Sequence, residues 1–255
     1  MNIPGILRGT ARATCFLGFV LTGWTQYWLG VRGLPVGEKR RAQAEWLHRW
    51  SRRICRLLNV SVDVRGTPPT AGLIVSNHLS YLDVFVLSAI EPCVFVAKSE
   101  IGSWPIFGPC AQCAGTILID RTRRAAVGPV AAEMAEVLAA GLPLVLFPEG
   151  TTSFGDGVLP FKSALFGPVI ELNSNVTAAA IDFELPGGSA ATEVCFVGEV
   201  ALLPHLWNLI TKARVLAHVS FAAPHAPMTD RKALAHEMHS AVTALHQAQR
   251  EPRAS

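Results

Sequence analysis

Leu73-Ile74-Val75-Ser76-Asn77-His78-Leu79-Ser80-Tyr81-Leu82-Asp83 passes from an apolar run through a polar turn into a helical pattern that continues to about residue 90. The same alternation extends outward from about residue 61. Short β-branched runs predict strands near 61–65, 73–76, 93–97, 116–119, 143–147, 176–182, 192–198 and 214–221. Longer patterns between them predict helices near 81–90, 103–112, 124–140, 161–172, 204–211 and 230–248, the last capped by Thr229 or Asp230. Pro68-Pro69 and Gly187-Gly188 mark loops. Strands and helices in alternation argue for an α/β domain with a mixed, largely parallel sheet flanked by helices. In such sheets, ligands gather where loops leave the carboxyl ends of strands.

Before residue 61 the chain reads differently. Ala13 to Val31 carries no charge and is bounded by Arg12 and Arg32. As a helix it would reach about 28 Å, close to the hydrocarbon thickness of about 30 Å. Three glycines and several threonines weaken it, and no small-residue cleavage site follows. Spanning the bilayer as a transmembrane helix and lying in one leaflet are both open. Between Glu38 and Arg65 stand eight basic residues against three acidic ones, a net of +5 within a chain whose total is +3. Trp46, Trp50, Ile54 and Leu57 recur at helical spacing, so the segment is an amphipathic helix with a basic polar face. Such helices lie on anionic membranes, and the positive flank places this side in the cytoplasm. The alternative is a surface helix docked on the core. The expected organisation is therefore residues 1–60 as membrane-associated helices and residues 61–255 as the α/β domain.

Composition narrows the function classes. Hydrophobic residues make up 50% and charged ones 16%, with a mean hydropathy of +0.34. A disordered chain is excluded. The net charge is too small to argue for nucleic acid. Six scattered cysteines do not form a disulfide scaffold, and Cys110-x-x-Cys113 has no second pair to complete a zinc site. His236-Glu237-Met238-His239 is not H-E-x-x-H, so no metal is expected. No G-x-S-x-G occurs, which argues against a serine hydrolase or thioesterase.

Three polar blocks follow predicted strands. In Asn77-His78-x4-Asp83, a regular helix would hold His78 and Asp83 about 140° apart. They meet if His78 lies in the loop and Asp83, in the first helical turn, turns its carboxylate back. The carboxylate would then fix the tautomer and leave the other ring nitrogen to take a proton from a hydroxyl. Ser80 and Asp83 also fit a capping box, and both readings can coexist. The second block ends a buried strand at Asp120-Arg121, which reads as a salt bridge or as Arg121 binding a phosphate. The third is Phe147-Pro148-Glu149-Gly150-Thr151-Thr152. Glu149 and the hydroxyls can hold an acceptor's polar groups, and Gly150 lets backbone approach a ligand; a βα loop with a helix cap is the alternative. Lys162 follows at the start of a helix.

These blocks resemble, in order and spacing, those of the glycerolipid acyltransferase family, whose type member is 1-acylglycerol-3-phosphate O-acyltransferase. The stretch from Ala97-Lys98 through Pro105-x-Phe107-Gly108 also resembles it, as does the apolar run Val176–Ile181. The resemblance implies His78 as general base and Asp83 as its orienting partner. It implies that Glu149, Gly150 and Arg121 position the acceptor; Asn77, Thr151, Thr152 and Lys162 are the further expected substrate contacts. The donor would be acyl-CoA or acyl carrier protein, with no cofactor. The acceptor would be 1-acylglycerol-3-phosphate, at the cytoplasmic side of a bacterial inner membrane. One departure stands out. Members acting on lysophosphatidate usually carry arginine where Thr152 stands, and Glu-Gly-Thr-Thr also resembles a bacterial branch acylating lyso-ornithine lipid. A non-catalytic membrane-binding protein would explain the basic helix but not three ordered polar blocks.

Overall fold

The computed structural model describes residues 3–119 and 127–251. Two long helices, α1 (Ile3–Gly30) and α2 (Val36–Leu58), come first. Asn59, in the left-handed conformation at φ 56°, ends α2, and β1 (Val60–Arg65) starts at the next residue. Then come β2 (Gly72–Ser76), α3 (Leu82–Ile90), β3 (Val94–Lys98), α4 (Phe107–Cys113), β4 (Ile117–Ile119), α5 (Val127–Ala139) and β5 (Pro143–Leu146). The chain continues through α6 (Gly167–Glu171), β6 (Val176–Glu184), α7 (Ala190–Glu193), α8 (Leu202–Thr211), β7 (Val215–Phe221) and α9 (Arg231–Arg250). Asp230 caps α9 by accepting from the amides of Lys232 and Ala233.

The seven strands of the described residues form one sheet in the order β1-β7-β6-β2-β5-β3-β4. All neighbours are parallel except β6 and β7. The expected mixed, largely parallel sheet is present. Strands β2, β3, β4, β5 and β6 therefore end on the same edge, and the site assembles there. Alternate residues face opposite layers, as strand geometry requires. Ile74, Val145 and Phe95 pack toward α2, α3 and α8. Leu73, Val75, Leu144 and Leu146 pack toward α5, α6 and α9.

Some expected elements differ. No strand forms over 192–198; the short helix α7 and an irregular segment replace it. Val194 and Cys195 are buried, but the amide and carbonyl of Phe196 bond to Leu79 and Thr152 rather than to a sheet edge. The helix expected over 161–172 begins only at Gly167, because Pro168 is accepted in a helix's first turn and not in its interior. Pro105 likewise divides 99–113 into a 3-10 turn (Ser99–Ser103) and α4.

The two N-terminal helices part ways. Trp46, Trp50 and Ile54 of α2 are buried in the domain core. The aromatic face of α2, expected to meet lipid, is thus taken by the protein. Gly23 lets α1 approach α2 closely: a Cβ there would stand 3.0 Å from the Trp50 ring, and the Trp46 indole donates to the Gly23 carbonyl. Arg8 and Arg12 fasten α1 to the carboxyl end of α8 through the carbonyls of Ile210, Thr211 and Lys212. The opposite side of α1 stays exposed, with Leu17, Leu21, Trp24 and Trp28 at spacings of four, three and four. Among the described residues no helix is long and apolar enough to cross a membrane, which corrects the transmembrane reading of Ala13–Val31.

Candidate active site

The backbone of β2 stops pairing at Ser76, but the side chain of Asn77 continues the ladder. Its amide donates to the Ile181 carbonyl at 2.9 Å and accepts from the Ile181 amide at 2.8 Å. This clamp releases the chain into the turn that carries His78. Asp83 then sits in the first turn of α3, where the helix dipole favours a negative charge. Its carboxylate is fully buried and points back. Oδ2 accepts from His78 Nδ1 at 2.7 Å, from the Leu79 amide at 2.7 Å and from the Ser80 amide at 3.0 Å. In the neutral ring this contact puts the proton on Nδ1 and leaves Nε2 a lone pair. Only half of the capping box forms: the Ser80 amide meets the carboxylate, while Ser80 Oγ makes no hydrogen bond among the described residues.

The third block meets the first from the neighbouring strand β5. The Phe147 ring lies flat under the imidazole, with centroids 4.1 Å apart and planes 12° apart. The Ser153 amide donates to the His78 carbonyl at 2.9 Å. Gly150, at φ 70°, makes the turn between them.

His78 lies on the wall of a cavity of about 450 Å³. Phe85, Phe95, Ile101, Trp104, Phe107 and Phe196 make it largely apolar. Gly150, Thr151 and Thr152 border it, and Lys98 and Glu100 stand at its exposed rim. Tyr81 also lines it; its hydroxyl donates to His205 Nδ1 at 3.0 Å, and His205 Nε2 donates to the Cys195 carbonyl at 3.1 Å. Burial lowers the His205 pKa, in keeping with a neutral ring that accepts on one nitrogen and donates from the other.

Other expected site residues lie elsewhere. Both ends of the Asn77 amide are used by Ile181, so it does not face the cavity. Glu149 is 2% exposed and lies behind the wall, not on it. Both its oxygens lack a hydrogen-bond partner among the described residues. Burial pushes its carboxyl up to about 8, and the nearby charge of Asp83 acts the same way; the amides of His78 and Leu159, close by but not aligned for hydrogen bonds, oppose the shift. Lys162 is exposed and bonds through its backbone to Pro148 instead of lining the cavity. Arg121 lies outside the described residues. Among the described residues no group of three or more His, Cys, Asp or Glu is placed to hold a metal ion.

Sequence reasoning gave Phe147 only the end of a strand and did not place Phe196, Tyr81 or His205 at the site. Lys98 could have been found by the rule that pointed to Arg121, a cation at the carboxyl end of a parallel strand.

The acyltransferase family profile matches residues 61–182, which span both interlocked turns. A 1-acyl-sn-glycerol-3-phosphate acyltransferase of Neisseria meningitidis is 34% identical over 199 residues, 76% of this chain and 78% of that protein. The chain belongs to the acyltransferase family. A lyso-ornithine lipid O-acyltransferase of Brucella abortus is 40% identical to this acyltransferase over 191 residues, 69% of this chain and 71% of the relative. The crystal structure of the 1-acyl-sn-glycerophosphate acyltransferase PlsC from Thermotoga maritima superimposes with a TM-score of 0.69 at 19% identity. It covers 100% of this chain and 98% of its own, and it shares the fold of this acyltransferase.

Proposed function

We propose that this acyltransferase moves a fatty acyl group from acyl-CoA or acyl carrier protein to the free hydroxyl of a lysolipid at a membrane surface. The observation that carries the reading is the His78–Asp83 pair on the wall of an apolar cavity. His78 Nε2 takes the proton of the acceptor hydroxyl as its oxygen attacks the thioester carbonyl carbon. Asp83 stabilises the imidazolium. The tetrahedral intermediate collapses, the C–S bond breaks, and the leaving sulfur takes the proton back from Nε2 to give a thiol. The ester remains on the lysolipid. No acyl-enzyme and no metal enter this route. Backbone amides must stabilise the oxyanion, and the Gly150–Thr152 turn borders the cavity beside the ring.

The acceptor is 1-acylglycerol-3-phosphate, giving phosphatidic acid for phospholipid synthesis. Lys98 at the rim supports it, and Arg121 is retained as a phosphate ligand. Thr152, in place of the usual arginine, favours a second reading, lyso-ornithine lipid, which also fits the Brucella relative.

Membrane contact falls to α1, on a bacterial inner membrane with the site on the cytoplasmic side. Its exposed face is apolar, and its threonines 10, 14, 22 and 25 donate back to carbonyls of their own helix. Such hydroxyls need no water. Arg32 stacks over Trp28 at 4.0 Å, putting a cation beside an interfacial aromatic. A second apolar hollow, of about 60 Å³, touches Phe16, Phe19 and Trp24 of α1 and shares Leu47, Phe85, Phe107 and Cys110 with the first. Apolar surface thus continues from the imidazole toward the lipid-facing helix.

The test supplies the detergent-purified chain with an acyl thioester and each lysolipid and follows thiol release. Acyl transfer gives release that requires a lysolipid, and the faster acceptor decides between the two readings. Release without lysolipid would mark a thioesterase, and none at all a binding protein.

A further inference from the structure

The segment between α7 and α8, which the sequence marks as a strand, is tied into both polar turns. The Phe196 amide donates to the Leu79 carbonyl at 2.8 Å. The Thr152 hydroxyl donates to the Phe196 carbonyl. The Cys195 carbonyl accepts from His205, and Cys195 Sγ contacts the Phe154 carbonyl at 3.7 Å. The Phe196 ring packs against Tyr81, His205 and Trp104, with centroids 5.4, 5.2 and 6.3 Å away.

A continuous run of bonds follows. Thr152 holds Phe196, Phe196 holds Leu79, the Leu79 amide holds Asp83 Oδ2, and Asp83 holds the imidazole. Each link fixes the backbone that carries the next donor or acceptor, and in a water-poor wall a missing link leaves its partner unpaired. The proton of the Thr152 hydroxyl is committed to a backbone carbonyl and is not offered to a ligand in the cavity.

We propose that Thr152 is a positioning residue: its hydroxyl pins the Cys195–Gly198 segment and, through Leu79, sets the Asp83–His78 pair, instead of reading the acceptor's head group. The inference rests on the acyl-transfer reading for its kinetic part. A residue that sets the base changes turnover for every acceptor alike. A head-group ligand changes the Michaelis constant, and by different amounts for a phosphate and for an amino-acid head.

The test compares Thr152→Val, which keeps the branched shape and loses the hydroxyl, with Thr152→Ser, which keeps the hydroxyl. Thr152→Val is expected to lower kcat about 10-fold, with KM for either lysolipid within about twofold. Thr152→Ser is expected to recover most of the rate. Amide exchange followed by mass spectrometry should quicken about 10-fold in the peptide covering Cys195–Gly198 for Val and not for Ser. If the Val variant does not fold, Thr152→Ala is read the same way. A rise in KM for one head group at unchanged kcat would make Thr152 a ligand and overturn the proposal. So would a Ser variant as slow as Val, or exchange unchanged by losing the hydroxyl. If the unaltered chain transfers no acyl group, the proposed function fails, while the exchange measurement still judges the tether.

Discussion

Two carboxylates lie buried at the ends of neighbouring parallel strands, and they are held in opposite ways. Asp83, after β2, gives one oxygen to three donors and sits at a helix start. Glu149, after β5, has a hydrogen-bond partner for neither oxygen among the described residues, and burial pushes its carboxyl up to about 8. Equal burial thus yields a carboxylate built to face an imidazole and a carboxyl group that keeps its proton at neutral pH. Local donors, supplied by how each turn is wound, separate the two cases.

The sharpest way to break this contrast is to remove the pair on the Asp83 side. His78→Ala should reduce turnover in the thiol-release assay by roughly 10²–10⁴ while the far-UV spectrum is kept, and Asp83→Asn should fall in the same range because the imidazolium loses its counter-charge. Near-normal turnover in a folded Asp83→Asn would leave the carboxylate only its helix-start role.

The Glu149 side should speak through stability. Between pH 4.5 and about 8 the native chain holds a proton that the unfolded chain has released, so wild-type stability should fall as pH rises through that window. The slope approaches about 1.4 kcal/mol per pH unit for one group. Glu149→Gln removes it, so the variant's Tm advantage over wild type should grow from pH 5 to pH 8. Parallel Tm curves would contradict the raised carboxyl.

A smaller effect tests how the first turn is anchored. Asn77→Ala strands the amide and carbonyl of the buried Ile181 and should cost about 2–4 kcal/mol in urea unfolding. KM for the lysolipid should stay unchanged in the folded fraction; a raised KM would return Asn77 to the substrate. The least effect is expected at the rim. Lys98→Ala should raise KM for a phosphate-bearing acceptor by less than about tenfold, because an exposed cation is screened, and the rise should shrink in salt.

The N-terminal helices show why part of the molecule could not be read ahead. Periodicity in α2 shows that Trp46, Trp50 and Ile54 share a face, and that face is buried by α1 and the domain core. The same arithmetic applied to α1 yields a weaker pattern, yet α1 is the helix left with Trp24 and Trp28 uncovered. A hydrophobic face declares that it will be covered; it does not declare by what. The segment 192–198 teaches the same lesson for strands, since its backbone was taken by the two polar turns and not by a sheet edge.

What the chain alone determined is local. Alternating apolar runs specify the α/β sheet, because side-chain period and strand direction follow from nearby residues. The spacing of His78 and Asp83 across a loop-to-helix start lets ring and carboxylate meet, because the geometry of a first helical turn is short-ranged. Tertiary structure decided which residues share the cavity. It placed Phe147 under the imidazole, hid Glu149 and Asn77, turned Lys162 outward and brought Phe196 in from far along the chain. Those placements depend on strand order and on how loops close over the sheet edge, and no local spacing encodes either.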